Sequence, residues 1–83
     1  MDRFFFDVYI AEGHTLDEEG LLLHSRDRAK DEALRILHDI ARDELKGEDL
    51  VKLTVKVRNQ AGGQIFEASL ILTSGWSVAP KVG

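Results

Sequence analysis

Only a few side chains in this 83-residue sequence are of types that do chemistry, and their spacing decides what they are able to do. His14, His24 and His38, with Asp17, Glu18 and Glu19 in between, supply metal-ligating groups. Zinc sites legible in sequence need paired ligands at fixed offsets, such as two histidines four apart on a helix, and none occurs here. Adjacent carboxylates such as Glu18 and Glu19 divide acid and base roles only where their environments separate their pKa values, which an exposed loop does not do. No serine lies in a nucleophile-elbow context, and Gly62–Gly63 is neither a phosphate loop nor a dinucleotide fingerprint. The absence of cysteine excludes disulfides, thiolate ligands and thiol nucleophiles together. The sequence thus points to a protein that is not an enzyme and has no catalytic residue, metal or cofactor.

What is left is contact chemistry. Lys52, Lys56 and Arg58 alternate with Thr54 and form the one basic cluster, and Phe5 or Tyr9 beside it offers a ring on which a base stacks. A formal net charge of -4 and a pI near 5.2 oppose a nucleic-acid partner. Alternate basic residues on a strand are also the ordinary composition of a solvated sheet face.

These residues need elements to position them. Residues 25–47 carry a helix of about 20 residues, with an apolar stripe of Ala29, Ala33, Ile36, Leu37, Ile40 and Ala41. Ser25 suits the N-cap, Asp27 the positive end of the helix dipole, Lys46 the negative end and Gly47 the left-handed position that ends the helix. On the outer face, Asp31, Arg35, Asp39 and Arg42 are spaced for ion pairs. Glu44 falls inside the stripe by its angle, so the last turn must overhang the sheet and let it reach water.

Three stretches alternate with period two. In residues 3–10, Phe4, Phe6, Val8 and Ile10 face one way, and Arg3, Phe5, Asp7 and Tyr9 the other. In residues 51–58 the inner set is Val51, Leu53, Val55 and Val57. In residues 64–72 it is Phe66, Ala68, Leu70 and Leu72, leaving Ile65, Glu67, Ser69 and Ile71 outside. NQAGG at 59–63 joins the last two by a type I turn with Gly62 at positive φ beside a bulge. Residues 11–20 read as a loop or wide hairpin connection, and 21–24 as a minor strand.

The order is therefore β-β-α-β-β, and the strands, numbered along the chain, fit the antiparallel order 2-1-3-4 under one helix: an α+β two-layer sandwich. One domain spans residues 1–73, and 74–83 form an irregular tail in which Trp76 is a candidate docking anchor. Such a chain buries a thin core and should have a net stability on the order of 4–12 kcal/mol, so pairing with a second copy helps. The open sheet face should carry Phe5, Tyr9, Ile65 and Ile71 among Lys52, Lys56, Arg58, Asp7 and Glu67, and apolar residues concentrated on such a face mark a contact. The expectation is a cytoplasmic interaction domain, untargeted and without membrane association, that forms a homo-oligomer, a dimer, through this face or a strand edge. The alternative is a nucleic-acid-contacting or antitoxin-like regulatory module.

The stretches RFFFDVYI, LDEEGLLL, RAKDEALRILHDIARDEL and VKVRNQAGGQIFEASL resemble a family of short proteins of unknown function, frequent in rhizobia and related alphaproteobacteria. The usual member opens Tyr-Phe-Phe where Phe4, Phe5 and Phe6 stand here, and often has Asp-Gly in the first loop, where Glu12 and Gly13 stand nearest. The resemblance implies the fold and no mechanism. In architecture alone the chain is similar to antitoxins of the partial ribonuclease-H type, which neutralise an RNA-cleaving toxin. Those usually carry an extra strand before the helix and often a DNA-binding segment.

Overall fold

The computed structural model describes residues 1–11, 13–44 and 50–78. Among the described residues, five strands and one helix follow in the order β1 (Asp2–Ile10), β2 (Gly13–Thr15), β3 (Leu21–Leu23), α1 (Arg26–Glu44), β4 (Leu50–Arg58) and β5 (Gln64–Thr73). All pairings are antiparallel, with β1 beside β4 and β4 beside β5. On its other side β1 pairs with β2 along Val8–Ile10 and with β3 along Asp2–Phe4. The α+β sandwich and the neighbours expected for the long strands hold. The addition is β2, which forms within the stretch expected to be a loop, because the chain reverses immediately after Ile10 with Ala11 in the left-handed region (φ 51°).

The helix begins as its cap predicts. Ser25 Oγ accepts the Arg28 N–H at 3.2 Å and the Ser25 carbonyl accepts that of Ala29 at 3.2 Å. Ala29, Ala33, Leu37 and Ala41 are buried, and Ile36 and Ile40 pack at the flank. Three alanines among the four buried positions let the helix approach closely, and at about 28 Å it matches the nine-residue strands beneath. Glu44 is exposed, as the overhanging last turn requires. On the wet face Arg35 pairs with Glu32 and with Asp39 (2.6 Å), not with Asp31 as the spacing suggested. Glu32 lies three residues before Arg35, and Arg42 reaches Asp39 at 3.6 Å. Lys46 and Gly47 lie outside the described residues.

The inner sheet face is the predicted one. Phe4, Phe6, Val51, Leu53, Val55 and Val57 are buried with the helix alanines, and Val8, Ile10, Leu70 and Leu72 pack at the margin. Burial is uneven across the strands. The β4 inner row is fully covered, whereas Phe66, Ala68, Leu70 and Leu72 of β5 are only half-buried, because the helix lies over β4 and reaches β5 with its flank.

The β4–β5 hairpin closes with the Gly62 N–H donating to the Asn59 carbonyl at 3.0 Å and with Gly62 at φ 92°. A register shift at Val57/Arg58 pairs Val57 with Phe66 but Arg58 with Gln64. Ile65 is thus the extra residue of a bulge, and it packs against the core cluster instead of standing on the open face. Strict alternation assigned Ile65 to the wrong side because one inserted residue offsets the period locally.

Candidate interaction surface

The open face is built by the odd-numbered residues of β1, the even-numbered residues of β4 and, past the bulge, the odd-numbered residues of β5 from Glu67 onward, and its centre is polar. Asp7, flanked by Phe5 and Tyr9, is only 3% exposed. The Arg58 guanidinium grips it twice, Nε to Oδ2 at 2.6 Å and Nη2 to Oδ1 at 3.1 Å, and Nη2 also donates to the Asp17 carbonyl at 2.9 Å. The Asp17 N–H in turn donates to Asp7 Oδ1 at 2.9 Å. Arg58 holds the Asp7 carboxyl below the ordinary carboxylate range against the opposing effect of burial, and the Asp17 N–H adds to this.

Asp17 explains how the edge between β2 and β3 is closed. Its Oδ2 accepts the Phe6 N–H at 3.1 Å, and its Oδ1 accepts those of Glu19 (3.1 Å) and Gly20 (3.0 Å). Burial pushes this carboxyl up, but the amides of Gly20, Phe6 and Glu19 outweigh it, so its pKa is lowered. A side-chain carboxylate thereby does for Phe6 what a strand would. Gly20 follows at φ 72°, where a Cβ would meet Arg3 Cγ at 2.8 Å and the Phe4 carbonyl oxygen at 2.9 Å.

The expected contact residues fall into separate groups. Phe5 lies under the Arg58 guanidinium, 5.0 Å from ring centroid to Cζ, and Tyr9 lies under Lys56 Nζ at 4.7 Å and stacks on His14 at 5.6 Å. Lys56 also reaches Glu67 at 3.7 Å, and Thr54 bonds Ser69 across the strands at 2.9 Å. Arg58 and Lys56 are therefore engaged with carboxylates and rings of their own sheet. Lys52 is exposed opposite Ile71, which is 61% exposed and stands at the far end of the face from Phe5. A shallow polar depression of about 320 Å³ lies among Tyr9, Lys52, Thr54, Lys56, Glu67 and Ser69.

Sequence reasoning placed Asp7 on the outer face and Asp17 in the first loop but missed the roles they have here, Asp7 as the partner of Arg58 and Asp17 as the acceptor of the Phe6 N–H. An Asp in the middle of an aromatic strand was one signal. Asp17 three residues before Gly20 was the other, since that spacing is an Asx-turn pattern. His24 and His38 are exposed and far apart in the chain, and Glu18 and Glu19 are exposed in the turn. Among the described residues no group of three His, Cys, Asp or Glu converges as a metal site would require, and no buried side-chain N or O lacks a partner.

The edges of the sheet contrast. The β1 edge is covered by β2, Asp17 and β3 in turn. Among the described residues, no strand lies beside the β5 edge along its ten residues. It contains no Lys, Arg or Pro, and its one charge, Glu67, is paired with Lys56. Natural sheets usually guard such edges with charge, proline or a covering element.

Residues 3–71 match the model of a domain of unknown function, DUF6894. The chain belongs to that family. The match takes in all five strands and the helix up to the last residues of β5, so the open edge is part of the family's domain. Neither the curated proteins nor the solved structures include a match to the chain. Among the described residues, no helix is long and apolar enough to cross a membrane.

Proposed function

We propose that this member of the DUF6894 family is a non-enzymatic interaction domain that works by contact and self-associates through the β5 edge. The observation that carries the reading is the asymmetry between the edges: β1 is closed by three devices, while the ten residues of β5 have no covering strand among the described residues and lie beside a half-buried apolar row. Unpaired N–H and C=O groups along an apolar strand are a template for another strand, and main-chain pairing supplies affinity without any pocket. Of the two contact regions the sequence offered, the edge is better supported than the open face, because Ile65 lies on the core side and Phe5 and Tyr9 are already covered by Arg58 and Lys56.

The same contacts favour protein over nucleic acid as the partner, since Arg58 and Lys56 are paired internally and Lys52 is left as the one exposed cation of the cluster. A cytoplasmic location fits the absence of cysteine, and an alphaproteobacterial source is what the family resemblance implies. Sedimentation velocity over a micromolar concentration series tests the proposal. The wild type is expected to run as a dimer, and Leu70→Lys, which aims a charge inward from the edge strand, to run as a folded monomer. A wild type that stays monomeric throughout overturns it.

A further inference from the structure

The edge strand ends just before the chain's single tryptophan, and Trp76 stands fully exposed beyond it. Resting on the edge-pairing reading above, we infer that Trp76 of each copy docks in the other, in the hollow between the start of α1 and the start of β5. That hollow, about 300 Å³, is lined by Arg26, Asp27, Lys30, Ile65 and Phe66.

The register leads there. A twofold axis perpendicular to the sheet keeps both helices on one side, so residues of like facing must oppose one another across the new pair. Centring the pair on Ser69 sets Phe66 opposite Leu72 and Ala68 opposite Leu70, so every inner-face pair is apolar. On the outer face Ser69 meets Ser69, and Glu67 faces Ile71. Sliding the centre to Glu67 would bring two carboxylates together. In the Ser69 register Thr73 lies opposite Ile65 of the second copy. The next three residues then bring Trp76 just past Gln64, at the end of the sheet where the bulge has turned Ile65 toward the core.

The chemistry of the hollow suits an indole. Ile65 and Phe66 supply an apolar floor, and Arg26 and Lys30 one turn apart on α1 supply cations for the ring face. An exposed indole and a half-covered Phe66 are each unfavourable alone, and both are buried by the same docking. The partner is thus a second copy of this chain, and the site is incomplete without it.

Trp76 is its own probe because no other tryptophan contributes. Full-length protein is diluted through its dimer–monomer transition while emission wavelength, acrylamide quenching and sedimentation are followed together. The expected result is blue-shifted, several-fold less quenchable emission in the dimer that reverts on dissociation, with Trp76→Ala and Arg26→Glu each weakening dimerisation about tenfold or more. A dimer whose Trp76 stays as quenchable as in the monomer overturns the docking and leaves edge pairing standing. Emission already blue-shifted in the dilute monomer also overturns it, since the contact would be within one chain. A chain that is monomeric at every concentration removes both readings.

Discussion

Arg58, Asp7 and Asp17 form the cluster on which the open face depends, and single substitutions there should be felt in stability. Asp7→Ala leaves the half-buried Arg58 guanidinium without its bidentate partner and is expected to cost about 2–4 kcal/mol in urea unfolding, with Arg58→Lys costing less but measurably, since one ammonium does not reproduce the fork. The pH dependence follows from sign. Asp7 and Asp17 both have folded-state pKa values below the ordinary Asp value, so the unfolded chain binds protons first as the solution is acidified. Their contribution is complete above about pH 4–5 and is lost as pH falls through the folded values. The Tm of the wild type should therefore fall more steeply below about pH 4 than that of Asp7→Asn, in melts followed by circular dichroism. Gly20→Ala puts a methyl group within 3 Å of β1 atoms at positive φ and should cost about 1–3 kcal/mol.

At the scale of elements, α1 and β5 behave differently because one is covered and the other is not. The α1 N-cap is a local feature, and Ser25→Ala should lower stability by about 1 kcal/mol in the same unfolding measurement, without affecting association. Leu70→Lys acts on the half-buried row of β5, where a long side chain carries its charge out to water, so its effect should fall on self-association far more than on folding. The helix apolar stripe and the three long strands were legible because each holds its period for eight residues or more. β2 was not, because three residues cannot display a period and its pairing comes from the reversal after Ile10. Ile65 was misassigned for a related reason: the turn and bulge were anticipated from NQAGG, but which residue the bulge would displace depends on the register that β4 imposes.

For the whole molecule, one helix across a sheet this wide leaves the last strand exposed at its margin. The β4 row is sealed and the β5 row is only half-buried, and that margin is where the proposed self-association would add cover to a small core. The acidic balance and the internally paired cations lead to a matching expectation in solution: titration with mixed single-stranded oligonucleotides at low ionic strength should show no salt-sensitive binding. Appearance of such binding, abolished by Lys52→Ala, would favour the nucleic-acid module instead.

By itself the sequence determined the fold class, the helix with its cap and the inner rows of the sheet, since periodicity and turn chemistry are local properties of consecutive residues. Tertiary structure alone decided that Asp7 is buried, that Asp17 completes an edge, that Arg58 and Lys56 are engaged at home and that, among the described residues, no strand lies beside the outer edge of β5. Each of those outcomes joins residues far apart in the chain, Asp7 to Arg58 and Asp17 to Phe6, and no spacing along a strand records which distant group arrives to satisfy a charge or cover an edge.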